Sequence, residues 1–252
     1  MKLFLTIAAS DTSGGAGIIQ DIRVAESLGY VGLCAITAIT TQCFNKVFEV
    51  FAVNDNVLEA QLNVLQKKFV IDVLKIGVIV NEKQIQIISN FLQKTSISIK
   101  VIDTVFSSSS GKSFLSENLI EKYKNLILPF SSFITPNKQE LELLTDKKID
   151  NFEEAIEEAI KLHNIYGCGI VVKGGHFFND CEKIKEAVIY DNSVNFVEKK
   201  RQIFNYSHGT GCAFSSAFAV FLNETNNPFY SLRKATLWVD SYFLKLNKVI
   251  KH

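Results

Sequence analysis

The stretch VLKIGVIVNEKQIQIISNFLQKTSISIKVID, residues 73–103, holds one full turn of the pattern that decides the fold. Val73 to Ile79 is an almost unbroken aliphatic run. Glu82 to Gln93 places apolar residues at three- and four-residue spacing over polar ones, and Ile97 to Asp103 returns to an aliphatic run. The periods are those of a strand, an amphipathic helix and a second strand. Strands that are apolar at consecutive positions have both faces covered, as in a parallel sheet with helices on either side.

Working outward, the same alternation fills the chain. Further strands are expected at Leu3 to Ala8, Gly32 to Thr37, Val47 to Val53, Phe133 to Thr135, Gly169 to Lys173 and Ala187 to Tyr190. Further surface helices are expected at Ile18 to Leu28, Val57 to Phe69, Glu117 to Leu128 and Phe152 to Tyr166. Gly211 to Leu222 is small or apolar nearly all round, which suits a helix inside the protein. No Pro/Gly-rich linker, low-complexity tract or fixed-period repeat interrupts the pattern. Residues 1–252 therefore read as one α/β domain of three layers, helices on both sides of a mostly parallel sheet.

Bulk properties exclude several classes. The chain has 252 residues, 47% of them hydrophobic, enough for a continuous core. With 27 Lys+Arg against 26 Asp+Glu, the formal charge of +1 supplies no basic field for nucleic acid or an anionic membrane, and Lys199-Lys200-Arg201 reads as a solvated loop. Cys34, Cys43, Cys168, Cys181 and Cys212 are odd in number and contain no C-x-x-C pair, so reduced thiols in a cytoplasm are expected. The opening Met1 to Ala9 has the cation and short apolar run of a minimal leader, yet it feeds directly into a glycine-rich turn as a buried first strand would. No apolar stretch approaches the roughly 20 residues that span a bilayer.

Four stretches carry candidate chemistry. In His208-Gly209-Thr210-Gly211-Cys212, glycines open the interior helix. Free amides and the positive end of the helix dipole would form an anion site there, and the same field would favour a cysteine thiolate. A plain glycine-rich cap with an inert thiol is the competing reading. In Thr135-Pro136-Asn137-Lys138-Gln139-Glu140, Asn137 and Glu140 have the spacing of a capping box, while Glu140 could also orient Mg²⁺ or its waters. Lys173-Gly174-Gly175-His176 follows a strand, where open α/β sheets bind ligands, although a strand-terminal lysine can equally face solvent. Ser10-Asp11-Thr12-Ser13-Gly14-Gly15-Ala16-Gly17 fits neither G-x-x-x-x-G-K-[ST] nor G-x-G-x-x-G. It reads as a loop that holds a small polar substrate through Asp11, Asp21 or backbone amides, or as an Asx-type turn.

In order and spacing these stretches resemble the hydroxymethylpyrimidine/phosphomethylpyrimidine kinases of the ribokinase-like superfamily. So do Ile36-Thr37-Ala38 with Gln42, Lys75-Ile76-Gly77 and Val101-Ile102-Asp103-Thr104-Val105. The resemblance runs over nearly the whole chain and implies a ribokinase-like fold, ATP with Mg²⁺, a homodimer, and two successive phosphoryl transfers to a pyrimidine in thiamine biosynthesis. It implies that Gly209, Thr210, Gly211 and Cys212 form the catalytic corner with Cys212 as base. Lys173, Asn137, Gly175 and His208 would bind nucleotide, and Glu140 would serve the metal. Asp21, Gln42, Val105, Gly14 and Val78 would bind the pyrimidine.

The chain departs from that family in several positions: Ala9, Thr12, Cys43 and Val78 replace Gly, Pro, Asn and Met. Ser109 stands where a flap lysine is usual, and Lys112 is the nearby candidate to replace it. A pyridoxal/pyridoxine kinase is the alternative within kinases. Gln42 discriminates, because an amide can pair with both a ring nitrogen and the exocyclic amine that pyridoxal lacks. A catalytically silent pyrimidine-binding regulatory protein is the alternative outside them.

Overall fold

A computed structural model describes residues 1–108, 110–175, 177–178 and 182–249. Ser109, His176 and Cys181 lie outside the described residues.

One nine-stranded sheet organises the chain, in the order β3-β2-β1-β4-β5-β6-β7-β8-β9. The strands are β1 (Lys2–Asp11), β2 (Tyr30–Cys43), β3 (Lys46–Ala52), β4 (Val73–Ile76), β5 (Ile99–Ile102), β6 (Phe133–Ile134), β7 (Gly169–Val172), β8 (Lys183–Tyr190) and β9 (Ser193–Lys200). The pairings from β2 through β1, β4, β5 and β6 to β7 are parallel, and β2–β3, β7–β8 and β8–β9 are antiparallel. The helices are α1 (Gly17–Ser27), α2 (Asp55–Lys68), α3 (Glu82–Lys94), α4 (Ile120–Ile127), α5 (Lys138–Thr145), α6 (Phe152–Tyr166), α7 (Thr210–Thr225) and α8 (Pro228–Val249).

The consecutive apolar residues of the central strands divide between two cores, as period-two geometry requires. Leu74, Ile76, Ile102, Ile134, Ile170 and Val172 face a core completed by α2 to α6. Phe4, Val73, Val101, Phe133 and Val171 face a second core, where α7 and α8 supply Phe218, Leu222, Leu232 and Phe243. The interior character expected for the helix near Gly211 is observed: Ala213, Ser215, Ser216, Ala217, Phe218, Ala219 and Val220 have no exposed surface.

Several elements differ from expectation. The helix expected from Glu117 to Leu128 is an eight-residue α-helix between two 3₁₀ turns, the second of them containing Pro129. The strand expected from Ala187 begins at Lys183 and pairs with the unexpected β9, whose half-exposed alternation Ser193-Val-Asn-Phe-Val-Glu-Lys-Lys carries a weak apolar signal. The unexpected α8 begins with Pro228 at its first position, where a missing amide proton costs nothing. Its buried Leu232, Ala235, Val239 and Phe243 keep helical spacing.

The sheet order fixes where a ligand can sit. After β1 the chain moves to β2 on one side, and from β4 onward it builds the other. The strand order therefore reverses at β1, and the carboxyl ends there open into a crevice.

Candidate active site

A cavity of about 510 Å³ occupies that crevice and collects residues from the carboxyl end of strand after strand. Asp11 closes β1, Gln42 lies near the end of β2, and Gly77 and Val78 follow β4. Asp103 and Val105 follow β5, Asn137 follows β6, and Lys173 follows β7. The start of α7, Gly209 to Cys212, forms the middle of its wall.

Gly209 is the N-cap of α7 with φ +82°, and no side chain caps the helix. A Cβ there would overlap the Gly15 carbonyl oxygen, so a glycine lets the helix start press against the loop after β1. The Thr210 amide donates to Ser207 O at 3.3 Å. The amides of Gly211 and Cys212, within the first turn, have no carbonyl four residues back inside the helix to receive them. Above Gly211 the space is open. A Cβ there would meet only Lys173 Nζ, 3.9 Å away. An ammonium thus faces the exposed amides of a long helix, an arrangement suited to a phosphoryl group.

Lys173 is held by carboxylates, its Nζ standing 3.1 Å from Asp103 Oδ1 and 3.5 Å from Glu140 Oε2. Burial alone would lower its pKa, but Asp103 and Glu140 outweigh it and keep the group charged. Asp103 also accepts from Thr135 Oγ1 at 3.0 Å and Ser215 Oγ at 3.2 Å. The capping box at α5 is formed: Asn137 Oδ1 accepts from the Glu140 amide at 3.0 Å, and Glu140 Oε2 accepts from the Asn137 amide at 2.8 Å. Burial raises the Glu140 carboxyl to about 7, with Lys173 opposing and Asp103 adding to the rise.

Among the described residues no cluster of three or more His, Cys, Asp or Glu side chains could cage a metal. Mg²⁺ asks for less: it keeps most of its waters and takes one or two carboxylates. Glu140 fits that use, because its observed bonds from Asn137, Thr104 and Lys173 all fall on Oε2.

Cys212 lines the cavity as a half-buried free thiol. Burial pushes it up to about 11. Lys75 opposes this, Asp21 and Asp103 add to it, and a hydrogen bond from the Gly17 amide lowers it. The expectation of a favoured thiolate is therefore corrected: burial outweighs the favourable influence of Lys75 and the Gly17 amide.

Of the residues expected around the pyrimidine, Gln42, Val78 and Val105 line the cavity at its β2–β4 end, beside Val47 and Phe114. Asp21 and Gly14 do not. Asp21 is wholly buried in an ion pair with Lys75, and Gly14 lies behind the loop against Arg23. His208, expected beside nucleotide, lines the cavity and places Nε2 at 2.7 Å from Asp11 Oδ2 and 3.5 Å from Gln42 Nε2. The Asp11 carboxylate is fully engaged, accepting from Ser13 N and Oγ and from the Gly15 and Ala16 amides as well. Burial would raise its pKa, but hydrogen bonds from His208, Ser13 and Gln42 hold it well below the usual carboxylate range. Asp11 thus builds the loop, as the Asx-type reading expects. Gly175 lines the far end, its carbonyl accepting from Arg201 Nη2 at 2.8 Å. There Ile184, Phe204, Phe214 and Val239 form an apolar wall. Lys112 lines a second cavity with Glu49 and Val80, and not the one in the crevice.

Lys75 and Asp103 were given no role from sequence. Each is a charged residue within or at the end of an otherwise aliphatic strand, and that was the available signal.

A family model described as phosphomethylpyrimidine kinase matches residues 11–249. A hydroxymethylpyrimidine/phosphomethylpyrimidine kinase of Aquifex aeolicus is 33% identical over 214 residues, covering 84% of this chain and 83% of the relative. The Escherichia coli protein of that name is 31% identical over 238 residues, covering 94% of this chain and 89% of its own. Among solved structures, a phosphomethylpyrimidine kinase from Clostridium difficile superposes with TM-score 0.81 at 28% identity, covering 96% of this chain and 99% of that one. A Staphylococcus aureus pyridoxal kinase in complex with AMP-PCP superposes with TM-score 0.87 at 25% identity, covering 96% and 88%.

Proposed function

The chain belongs to the phosphomethylpyrimidine kinase family, and from that premise we propose that it is an ATP-dependent kinase of thiamine biosynthesis. It phosphorylates 4-amino-5-hydroxymethyl-2-methylpyrimidine to the monophosphate and then to the diphosphate. Residues 1–252 act as a single catalytic domain.

The observation that carries this reading is the open start of α7 with Lys173 facing it. ATP lies along the crevice with its base against Ile184, Phe204 and Val239, its chain passing Asn137 and Gly175, and its γ-phosphoryl group at the amides of Gly211 and Cys212. Phosphoryl transfer has a loose transition state, so positioning and charge stabilisation dominate. Lys173 and the helix terminus supply that stabilisation. Mg²⁺, held through water by Glu140, would neutralise phosphate charge. Gln42 pairs with the aminopyrimidine edge, and Val78 and Val105 enclose the ring. Cys212 receives the proton of the hydroxymethyl group in the first transfer. The second transfer needs no such base, because its nucleophile is a phosphate already ionised at neutral pH.

Pyridoxal phosphorylation is the second reading, supported by the pyridoxal kinase likeness. The enzyme works as a homodimer: Ile39 and Phe51, directly opposed on β2 and β3, are both 53% exposed at the edge of the sheet, where a second copy can cover them. Free thiols at Cys34, Cys43, Cys168 and Cys212 suit a reducing cytoplasm, and no helix among the described residues is long and apolar enough to cross a membrane.

Mass spectrometry of products from the aminopyrimidine alcohol and ATP, run beside pyridoxal, tests the proposal. Mono- and diphosphate of the pyrimidine are expected. Phosphorylation of pyridoxal alone would replace the reading, and the absence of any product would favour a silent binding protein.

A further inference from the structure

Asp21 and Lys75 form an ion pair with no exposed surface on either side chain. Lys75 Nζ donates to the two Asp21 oxygens at 3.0 and 2.9 Å, Thr6 Oγ1 donates at 2.6 Å, and Ser216 Oγ donates at 2.9 Å. Replacing such a pair with packed apolar side chains is often neutral or stabilising, so stability alone is a weak reason for its presence. Its position is more informative. Ser216, which binds Asp21, lies one turn beyond Cys212 on the same face of α7. Lys75 reaches the wall of the reaction cavity that Cys212 also lines. A Cβ on Gly77 would stand 3.1 Å from Lys75 Nζ, so the missing side chain leaves the ammonium its room.

Resting on the kinase reading above, we propose that the buried Asp21–Lys75 pair is a positioning device that sets a fixed ammonium beside Cys212 and favours the thiol's ionised form in the first phosphoryl transfer. Asp21, which sequence resemblance assigned to the pyrimidine, acts through Lys75 instead. In that step the substrate O–H proton passes to Cys212 Sγ while the oxygen bonds to the γ-phosphorus. The bond from phosphorus to the bridging oxygen breaks, and its electron pair leaves on the β-phosphate of ADP.

The charged groups that act on the thiol are Lys75 from β4, Asp21 from α1, Asp103 beyond β5 and Lys173 beyond β7. Of these, Lys75 is the strongest influence toward the thiolate. A lone buried lysine would lose its proton, since burial lowers its pKa. Asp21, with Asp103 adding to it, outweighs that and holds Lys75 charged well above its ordinary range. Asp21 thus keeps the lysine charged, and the lysine tempers the desolvation of the thiol.

The test measures Cys212 alkylation by iodoacetamide from pH 7 to 10, read by peptide mass spectrometry so that the other cysteines do not interfere. An opposite charge within about 4–6 Å shifts a group by about one to three pH units. Lys75→Met should therefore slow alkylation at pH 8 by roughly tenfold or more. Because that variant leaves Asp21 unpaired, Asp21→Asn/Lys75→Met is made in parallel; it keeps the packing neutral and should also slow the reaction, by less. With the aminopyrimidine alcohol, kcat of the double variant should fall while KM stays near the parent value. Alkylation at the parent rate in a folded double variant would overturn the proposal, as would a raised KM with unchanged kcat, which would mean direct substrate contact. Parent protein that makes no phosphorylated pyrimidine would instead refute the kinase reading, while alkylation would still decide the effect of the pair on the thiol.

Discussion

If Cys212 is the base of the first transfer, its pKa near 11 makes that step strongly dependent on pH. A pH of 8 lies well below that midpoint, so only on the order of one thiol in a thousand is ionised there. From pH 8 to 10 the thiolate fraction rises roughly a hundredfold. Glu140, with its midpoint near 7, is ionised across this window and adds little slope. The assay is single-turnover quench flow with saturating Mg·ATP, using the pyrimidine alcohol and its monophosphate as alternative acceptors. The alcohol should react faster by a factor approaching ten for each pH unit, and the monophosphate should show a much flatter profile. Cys212→Ala should lose the slope and reduce turnover of the alcohol by roughly 10² to 10⁴, the range for a general base, with ATP affinity nearly unchanged. A parent profile flat from pH 8 to 10, or a Cys212→Ala enzyme with parental rates, would refute the assignment.

Other outcomes follow from single contacts. Lys173→Met should lower kcat/KM for ATP by roughly 10² through loss of a phosphate-facing charge, with a lower Tm because Asp103 is left buried without its cation; this is read by initial rates and thermal melts. Glu140→Gln preserves the acceptor of the capping box, so it should raise the Mg²⁺ concentration needed for half-maximal rate without a large loss of Tm. Glu140's raised pKa means that its burial favours the protonated form. That contribution is present below the ordinary carboxylate range and lost as pH rises toward 7, so melts from pH 5 to 8 should increasingly favour the Gln variant. Phe218→Ala removes a fully buried ring packed edge-on to Phe133 and should cost about 3–5 kcal/mol in denaturant unfolding. Phe51→Asp should shift the protein from dimer to monomer in sedimentation, and an unchanged sedimentation coefficient would remove that edge as the interface.

The sheet was legible because its strands at 73–76 and 169–172 are buried on both faces, which favours apolar residues at consecutive positions, Lys75 being the exception. β9 was not, since it is half-exposed, mixes polar residues among its few apolar ones and ends in Glu198-Lys199-Lys200. The uncapped start of α7 was legible from Gly209 and Gly211 ahead of small and apolar residues, and the capping box from Asn137 and Glu140. Asp21 was misplaced because its partner, Lys75, is 54 residues away, a long-range pairing that local spacing cannot reveal. The contact of His208 with Asp11 was illegible for the same reason: it joins opposite ends of the chain. The thiol's direction of shift depends on the depth of burial, which five letters around Cys212 do not contain.

The most direct measurement is a crystal structure with Mg²⁺ and a non-hydrolysable ATP analogue. The γ-phosphate should accept hydrogen bonds from the Gly211 and Cys212 amides, with Lys173 Nζ alongside. A triphosphate seated elsewhere in the crevice, with those two amides turned to water, would contradict the proposed chemistry.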